Sequence, residues 1–343
     1  MSTLFIESTP IELEAVPEIP GLRLRGFQGE SDYPNILALI NAAKRADGIQ
    51  RSDTVEDIAR YYAHLTNCDP YRDMLFAEVD GAVAAYSRVW WGLGEHDKWF
   101  GFHLDFTHPA WRNHGLRTVI LRFNEARLRQ IAATLEAQGE IPAGTLRTFE
   151  AWAADTETEK TALLEREGYR PVRYHLDMVR WLSEPITAAP MPEGLEVRLT
   201  SPERYRAVWE ADQEAFRDHW HFIPGTEEDY QGWLEWSPDP SLWKVAWDGD
   251  QVAGMVLNFL NENENAEYNR KRGYTEGIAV RRPWRRRGLA RSLLTQSLQM
   301  FKDMGMDEAA LGVDAENLTG ALRLYQSVGF REVKRTTTYH KEL

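Results

Sequence analysis

Gly21-Leu22 recurs as Gly194-Leu195, Trp111 as Trp284 and Gly115-Leu116 as Gly288-Leu289; 194 − 21, 284 − 111 and 288 − 115 each give 173. Asp80-Gly81 recurs as Asp248-Gly249 with a small slip, and Gly168-Tyr169 recurs as Gly329-Phe330. A constant offset of this kind is an internal repeat, so the fold must be one that half of the chain can build and the other half can build again. The 343 residues suffice for about two domains with cores of their own. The expected organisation is a first copy over 21–182, a connector over 183–193 and a second copy over 194–343. Pro185, Pro190 and Pro192 keep that connector out of central strands and helices.

Within the first copy, Gly21 to Arg25 reads as a strand, Tyr33 to Ala46 has the apolar spacing of a helix, and Asp53 to Leu65 reads as a second helix. Asp80-Gly81 between the apolar runs Met74 to Val79 and Ala82 to Trp90 is a hairpin signal. Residues 1–20 are polar with three prolines and read as an extended arm. The polar run from Asn258 to Arg272 reads as a long hairpin loop.

Composition narrows the function classes. The net charge of −13 disfavours sequence-independent attraction to nucleic acid or anionic lipid. Cys68 is the one cysteine, which excludes an intramolecular disulfide and a cysteine-based zinc cluster and points to a reducing, cytoplasmic setting. The first 20 residues hold four glutamates and no basic residue, unlike a signal peptide, and no apolar run approaches the ~18 residues of a membrane span.

Chemistry concentrates in Tyr274 to Leu294. A strand over Ile278, Ala279 and Val280 leads past Pro283 into Arg285-Arg286-Arg287-Gly288-Leu289-Ala290, where helical spacing begins. The first turn of a helix leaves N–H groups without partners at the positive end of the dipole, glycine admits a ligand close to the backbone, and flanking arginines add charge-assisted bonds to phosphate.

Arg285-x-x-Gly288-x-Ala290, together with the downstream run from Asp314 through Asn317 and Tyr325 to Gly329-Phe330, resembles the two signatures of the GNAT superfamily of N-acetyltransferases. The resemblance covers about 150 residues at the C-terminal end. It implies an α/β fold of two tandem domains, each a mixed, mostly antiparallel central sheet flanked by helices. It also implies acetyl-CoA as acetyl donor, held by Ile278, Ala279, Val280, Arg285, Arg286, Arg287, Gly288, Leu289, Ala290 and Asn317, and a small-molecule amine as acceptor. By the same resemblance Tyr325 protonates the departing thiolate and Glu276 accepts the amine proton. As plain residues, Tyr325 reads equally as a core aromatic sharing a face with Leu318 and Leu322, and Glu276 as a solvated edge glutamate. Asn317 reads as the N-cap of the helix that carries Tyr325. The run Asp212 to Phe222 falls where the family forms its acceptor side, which makes His219, Trp220 and His221 candidate pocket residues. Histidines at i and i+2 do not face one way on a helix, so no metal site is expected.

The first copy keeps Arg112-x-x-Gly115 but has Arg117 where the signature asks for Gly or Ala, and Leu164 where the second copy has Tyr325. It is therefore expected to be a structural half. Two other readings compete: a nucleic-acid module built on the basic cluster from Arg281 to Arg291, and a CoA-binding regulator without turnover. The acidity of the rest of the chain opposes the first, and a transfer assay separates the second.

Overall fold

The computed structural model describes residues 2–6, 9–13, 16–94, 98–142, 144–220, 222–236, 239–317 and 319–343, with residues 2–12 described by their backbone alone. The chain divides into two compact units, Met1–Val172 with Thr337–Leu343, and Arg173–Thr336.

The first unit opens with β1 (Ser2–Ile6) and β2 (Thr9–Leu13), which pair antiparallel within the stretch that the sequence reads as an extended arm. Both are edge strands of a two-stranded sheet, so Pro10 forfeits no ladder bond that a central strand would need. Leu13 anchors the pair in a core with Val119 and Phe123. Then follow β3 (Leu22–Arg25), α1 (Tyr33–Ala46), α2 (Val55–Ala63), α3 (Pro70–Asp73), β4 (Met74–Val79), β5 (Ala82–Gly94), β6 (Lys98–Thr107), α4 (Leu116–Ala137), β7 (Arg147–Ala154) and α5 (Thr158–Arg166). The strand order is β3-β4-β5-β6-β7, antiparallel up to β6 and parallel between β6 and β7. α4 buries Leu116, Val119, Ile120 and Phe123 on one sheet face, each worth roughly 1.5–3 kcal/mol in area removed from water. The chain end also belongs to this unit: His340 Nε2 lies 2.6 Å from Glu150, and Lys341 Nζ donates to Glu125 at 2.7 Å.

The second unit contains β8 (Arg170–Trp181) from Arg173 on, β9 (Glu196–Arg198), α6 (Tyr205–Phe216), α7 (Glu227–Trp236), β10 (Lys244–Asp248), β11 (Gln251–Leu260), α8 (Glu262–Glu267), β12 (Arg272–Val280), α9 (Leu289–Asp303), β13 (Glu308–Asp314), α10 (Ala321–Ser327) and the start of β14 (Arg331–Glu342). Its order is β9-β10-β11-β12-β13, again antiparallel until a parallel last pair, so the repeat in sequence is a repeat in fold. β8 follows the first copy in sequence but pairs with β13, and residues 337–343 at the end of the second copy belong to the first unit. Periodicity alone does not reveal this exchange of terminal strands. The polar run expected to be a loop holds α8, because the Asn261 side chain accepts from Glu264 N–H at 2.9 Å and caps it. One sheet face packs on α9 through Leu293, Leu294, Leu298 and Phe301. The other packs on α6 through Val208, Ala211 and Ala215. No helix among the described residues is long and apolar enough to cross a membrane.

Candidate active site

β12 pairs with β13 only from Arg272↔Glu308 to Tyr274↔Ala310, although β12 continues to Val280 and β13 to Asp314. Beyond Tyr274 the two strands part. On its other edge β12 stays with β11, but the register slips: Leu257 opposes Glu276 and Met255 opposes Ala279, so Gly277 and Ile278 together stand against Val256. This is a β-bulge. Gly277 adopts φ +51, and a Cβ there would come within 2.9 Å of Leu257, so the bulge requires glycine.

The bulge decides which main-chain groups face the gap. Ala279 pairs with Met255 and Arg281 N–H donates to Ala253 C=O, and groups alternate sides along a strand. Ile278 and Val280 therefore turn their N–H and C=O away from β11, whereas those of Ala279 serve the ladder. The Val280 carbonyl is already taken by Arg285 Nε at 2.8 Å, which leaves Ile278 and the Val280 N–H on the open edge.

The turn after β12 is pinned by buried Trp284, whose Nε1 donates to Asp248 at 2.8 Å. Arg286 and Gly288 have φ of +62 and +88, and α9 begins at Leu289, itself buried in the core. The first bond inside the helix runs from Ser292 N–H to Gly288 C=O at 3.1 Å, so the N–H groups of Leu289, Ala290 and Arg291 have no acceptor within it. Nothing lies within 4 Å of where a Gly288 Cβ would sit.

The arginines mostly brace this turn. Arg285 reaches Asp218 at 2.6 Å and the Ala215 carbonyl at 3.0 Å, so its side chain locks the turn to α6 rather than reaching outward. Arg281 pairs with Glu214 and Arg282 with Asp218, while Arg287 donates to the Glu193 carbonyl at 2.9 Å and Arg291 to Ser327 Oγ at 2.6 Å. Arg286 is exposed. The cluster that the sequence shows as six nearby cations is thus partly neutralised by Glu214 of α6 and by Asp218 in the turn after it, which is held well below the ordinary carboxylate range by its bonds to Arg282 and Arg285.

Tyr325, on α10, is 5% exposed and meets Phe330 edge-on with ring centroids 6.3 Å apart. Burial raises its pKa, and the negative charge of Glu276 raises it further, so the two candidate proton-transfer groups share one neighbourhood. Asn317 is not the N-cap of α10. That place is held by Gly320, because the Asn317 side chain turns back to accept from Thr319 N–H at 2.7 Å. Its Nδ2 lies 3.4 Å from His219 Nε2, and the His219 ring lies tilted against Phe216 with centroids 4.2 Å apart. Burial holds His219 below its ordinary pKa, so it is neutral near pH 7. Trp220 lies under the Arg173 guanidinium at 5.2 Å, and Arg173 in turn grips Asp314. His219 and Trp220 are thus brought to the end of β13, while His221 lies outside the described residues.

One residue was not singled out by sequence. Asp212 lies on α6 one turn before Phe216, and its Oδ1 is buried without a hydrogen-bond partner. Desolvation pushes its carboxyl up from 3.8 to about 7. Nothing in a lone Asp on a helix announces this, since the missing partner is a fact of three-dimensional packing. Between pH 4 and 7 the unfolded chain releases this proton and the folded chain keeps it, so stability falls as pH rises through that window. Asp212→Asn should therefore raise the melting temperature at pH 8, by a free energy of up to the order of 4 kcal/mol. It should leave stability at pH 3.5 nearly unchanged. Thermal melts across pH 3.5–8 check this, and a constant offset at every pH would show that the folded chain holds Asp212 no differently from the unfolded one.

A cavity of about 460 Å³ opens beside α6, lined by Trp209, Glu210, Gln213 and Phe222. Those helix positions face away from Val208, Ala211 and Ala215, which pack on the sheet.

Residues 205–330 match the acetyltransferase (GNAT) family. The chain is 26% identical to the mycothiol acetyltransferase of Geodermatophilus obscurus over 303 residues, which cover 86% of this chain and 89% of that protein. It is 29% identical to the GCN5-related N-acetyltransferase from Sphaerobacter thermophilus, whose crystal structure matches with a TM-score of 0.70 over 96% of this chain and 97% of that one. A tandem GNAT protein from the clavulanic acid biosynthesis pathway shares the fold at 14% identity, with a TM-score of 0.61 over 94% and 98% of the two chains.

Proposed function

The chain is a tandem member of the GNAT acetyltransferase family and an acyltransferase, and from that premise we propose that its second unit moves the acetyl group of acetyl-CoA to a primary amine of a small molecule by direct attack. The reading rests on one juxtaposition. Within 15 residues of chain, Tyr274 to Gly288, a strand leaves its parallel neighbour, bulges, and runs into a helix start with three open N–H groups.

The gap fits an extended pantetheine arm. Ile278 and the Val280 N–H offer main-chain groups along the open edge of β12, as a sheet edge does for an added strand. The turn through Gly288 fits the pyrophosphate, with the N–H groups of Leu289, Ala290 and Arg291 as donors and exposed Arg286 available for charge. Bound there, acetyl-CoA supplies an activated thioester. A main-chain N–H of the bulged segment aimed at the thioester oxygen acts as an oxyanion donor. Glu276 accepts the proton of the amine, directly or through water, and Tyr325 gives one to the leaving sulfur. Because the Glu276 charge contributes to the raised pKa of Tyr325, protonating Glu276 makes the phenol a better acid at the moment it is needed. His219 and Trp220 form the acceptor side, and the first unit serves as a structural half.

A panel of primary amines that includes mycothiol-type acceptors, assayed with acetyl-CoA and a thiol-trapping dye, tests this. The expected result is amine-dependent thiol release with at least one acceptor. Tight CoA binding with no release for any amine would favour the regulator reading instead.

A further inference from the structure

The first unit keeps the main-chain shape of the nucleotide turn but fills the space around it. Asn113 and Gly115 have φ of +64 and +82, matching Arg286 and Gly288 of the second unit, and Arg112 grips Asp47 at 2.6 Å as Arg285 grips Asp218. β6 and β7 also part early, their pairing ending at Phe102↔Glu150 while the strands run on to Thr107 and Ala154. What differs is the lining.

The offset of 173 carries Asp105 onto Ile278 and Arg117 onto Ala290; the offset 329 − 168 = 161 carries Glu159 onto Gly320 and Lys160 onto Ala321. Where the second unit has small or apolar side chains, the first has four charged ones, and they satisfy one another. Arg117 Nε donates to Asp105 at 2.8 Å, Lys160 lies 3.5 Å from Asp105, and Arg117 Nη1 reaches Glu159 at 3.3 Å. Glu159 Oε1 also accepts the main-chain N–H of Asn113 at 3.2 Å, inside the turn itself. Arg117, Asp105 and Lys160 have side chains less than a tenth exposed. Above them, Pro17 lies 3.5 Å from where a Gly115 Cβ would sit, whereas the space over Gly288 is open. The β5–β6 register is continuous, with no counterpart of the bulge at Gly277.

We infer that the nucleotide turn of the first unit is a closed anion site whose anion is the chain's own Glu159 carboxylate, so that the full chain takes one CoA rather than two. A phosphate would have to take over Glu159's bonds to Arg117 and to the Asn113 N–H and move Pro17, and it would find Arg117 and Lys160 already paired with Asp105. With its buried cations compensated from within, the turn opposes this exchange. The inference rests on the proposed function only for the site in the second unit.

Calorimetry of the full chain with CoA, paired with amide hydrogen exchange, tests it. The expected result is one CoA per chain, bound at least ~10²-fold more weakly in Gly288→Val, and slowed exchange over 284–291 but not over 111–118 when CoA is present. Two CoA per chain, one CoA held at the parent affinity in Gly288→Val, or CoA-dependent protection of 111–118 would overturn it. A chain that takes no CoA at all would leave the first turn closed as inferred and would instead sink the proposed donor.

Discussion

Gly288→Val should fold yet lose about 10²–10⁴-fold in affinity for CoA, the equivalent of two charge-assisted hydrogen bonds at roughly 1.5–3 kcal/mol each. It folds because no protein atom stands within 4 Å of the new Cβ. It should lose affinity because the new side chain stands at the start of α9, where the proposed pyrophosphate would meet N–H groups that have no acceptor within the helix. The left-handed φ of +88 adds a strain of about 1–2 kcal/mol that any L side chain would incur. Gly288→Ala separates the two effects: it carries much of the strain and little of the bulk, so its melting temperature should fall with that of the valine variant while its affinity stays closer to the parent's. Unchanged CoA affinity in a folded Gly288→Val chain would move the cofactor away from this turn.

What the sequence could reveal divides along the range of the interactions involved. Local chemistry was readable: α1 has the bounds that its apolar spacing indicated, the Asp80-Gly81 hairpin joins β4 to β5, and the glycine turn opens α9. Groups whose meaning depends on distant partners were not readable. Arg285 looks like a phosphate ligand until Asp218, 67 residues earlier, is seen to hold it. Asn317 has the chemistry of a helix cap but uses it on Thr319, because the chain rises into the left-handed region at Gly320 before the helix starts. The exchanged strands leave no trace in the repeat, since β8 and β14 are plausible last strands for either unit. Arg117 was visible as a break in the signature. Its consequence was not, since it depends on Asp105, Glu159 and Lys160 meeting around it.

Tyr325→Phe should lower the rate constant for acetyl transfer by about 10²–10⁴-fold, the usual worth of a general acid, with CoA affinity hardly changed. The substitution removes one hydroxyl and keeps the ring, so the edge-on contact with Phe330 and the core around Leu293 and Leu298 survive. Burial and the nearby Glu276 hold the phenol protonated at any working pH, which makes it a standing donor to a departing thiolate and unsuited to act as a base. Leu164, at the matching place in the first unit, is 2% exposed within a core containing Leu163 and Tyr169. Leu164→Ala should therefore cost roughly 2–5 kcal/mol of stability while activity per folded molecule stays near the parent value. Turnover and melting temperature measured on both variants separate a proton donor from a packing residue. If Tyr325→Phe keeps near-full turnover with its best acceptor, the tyrosine belongs to the core, and water or another group must protonate the leaving sulfur.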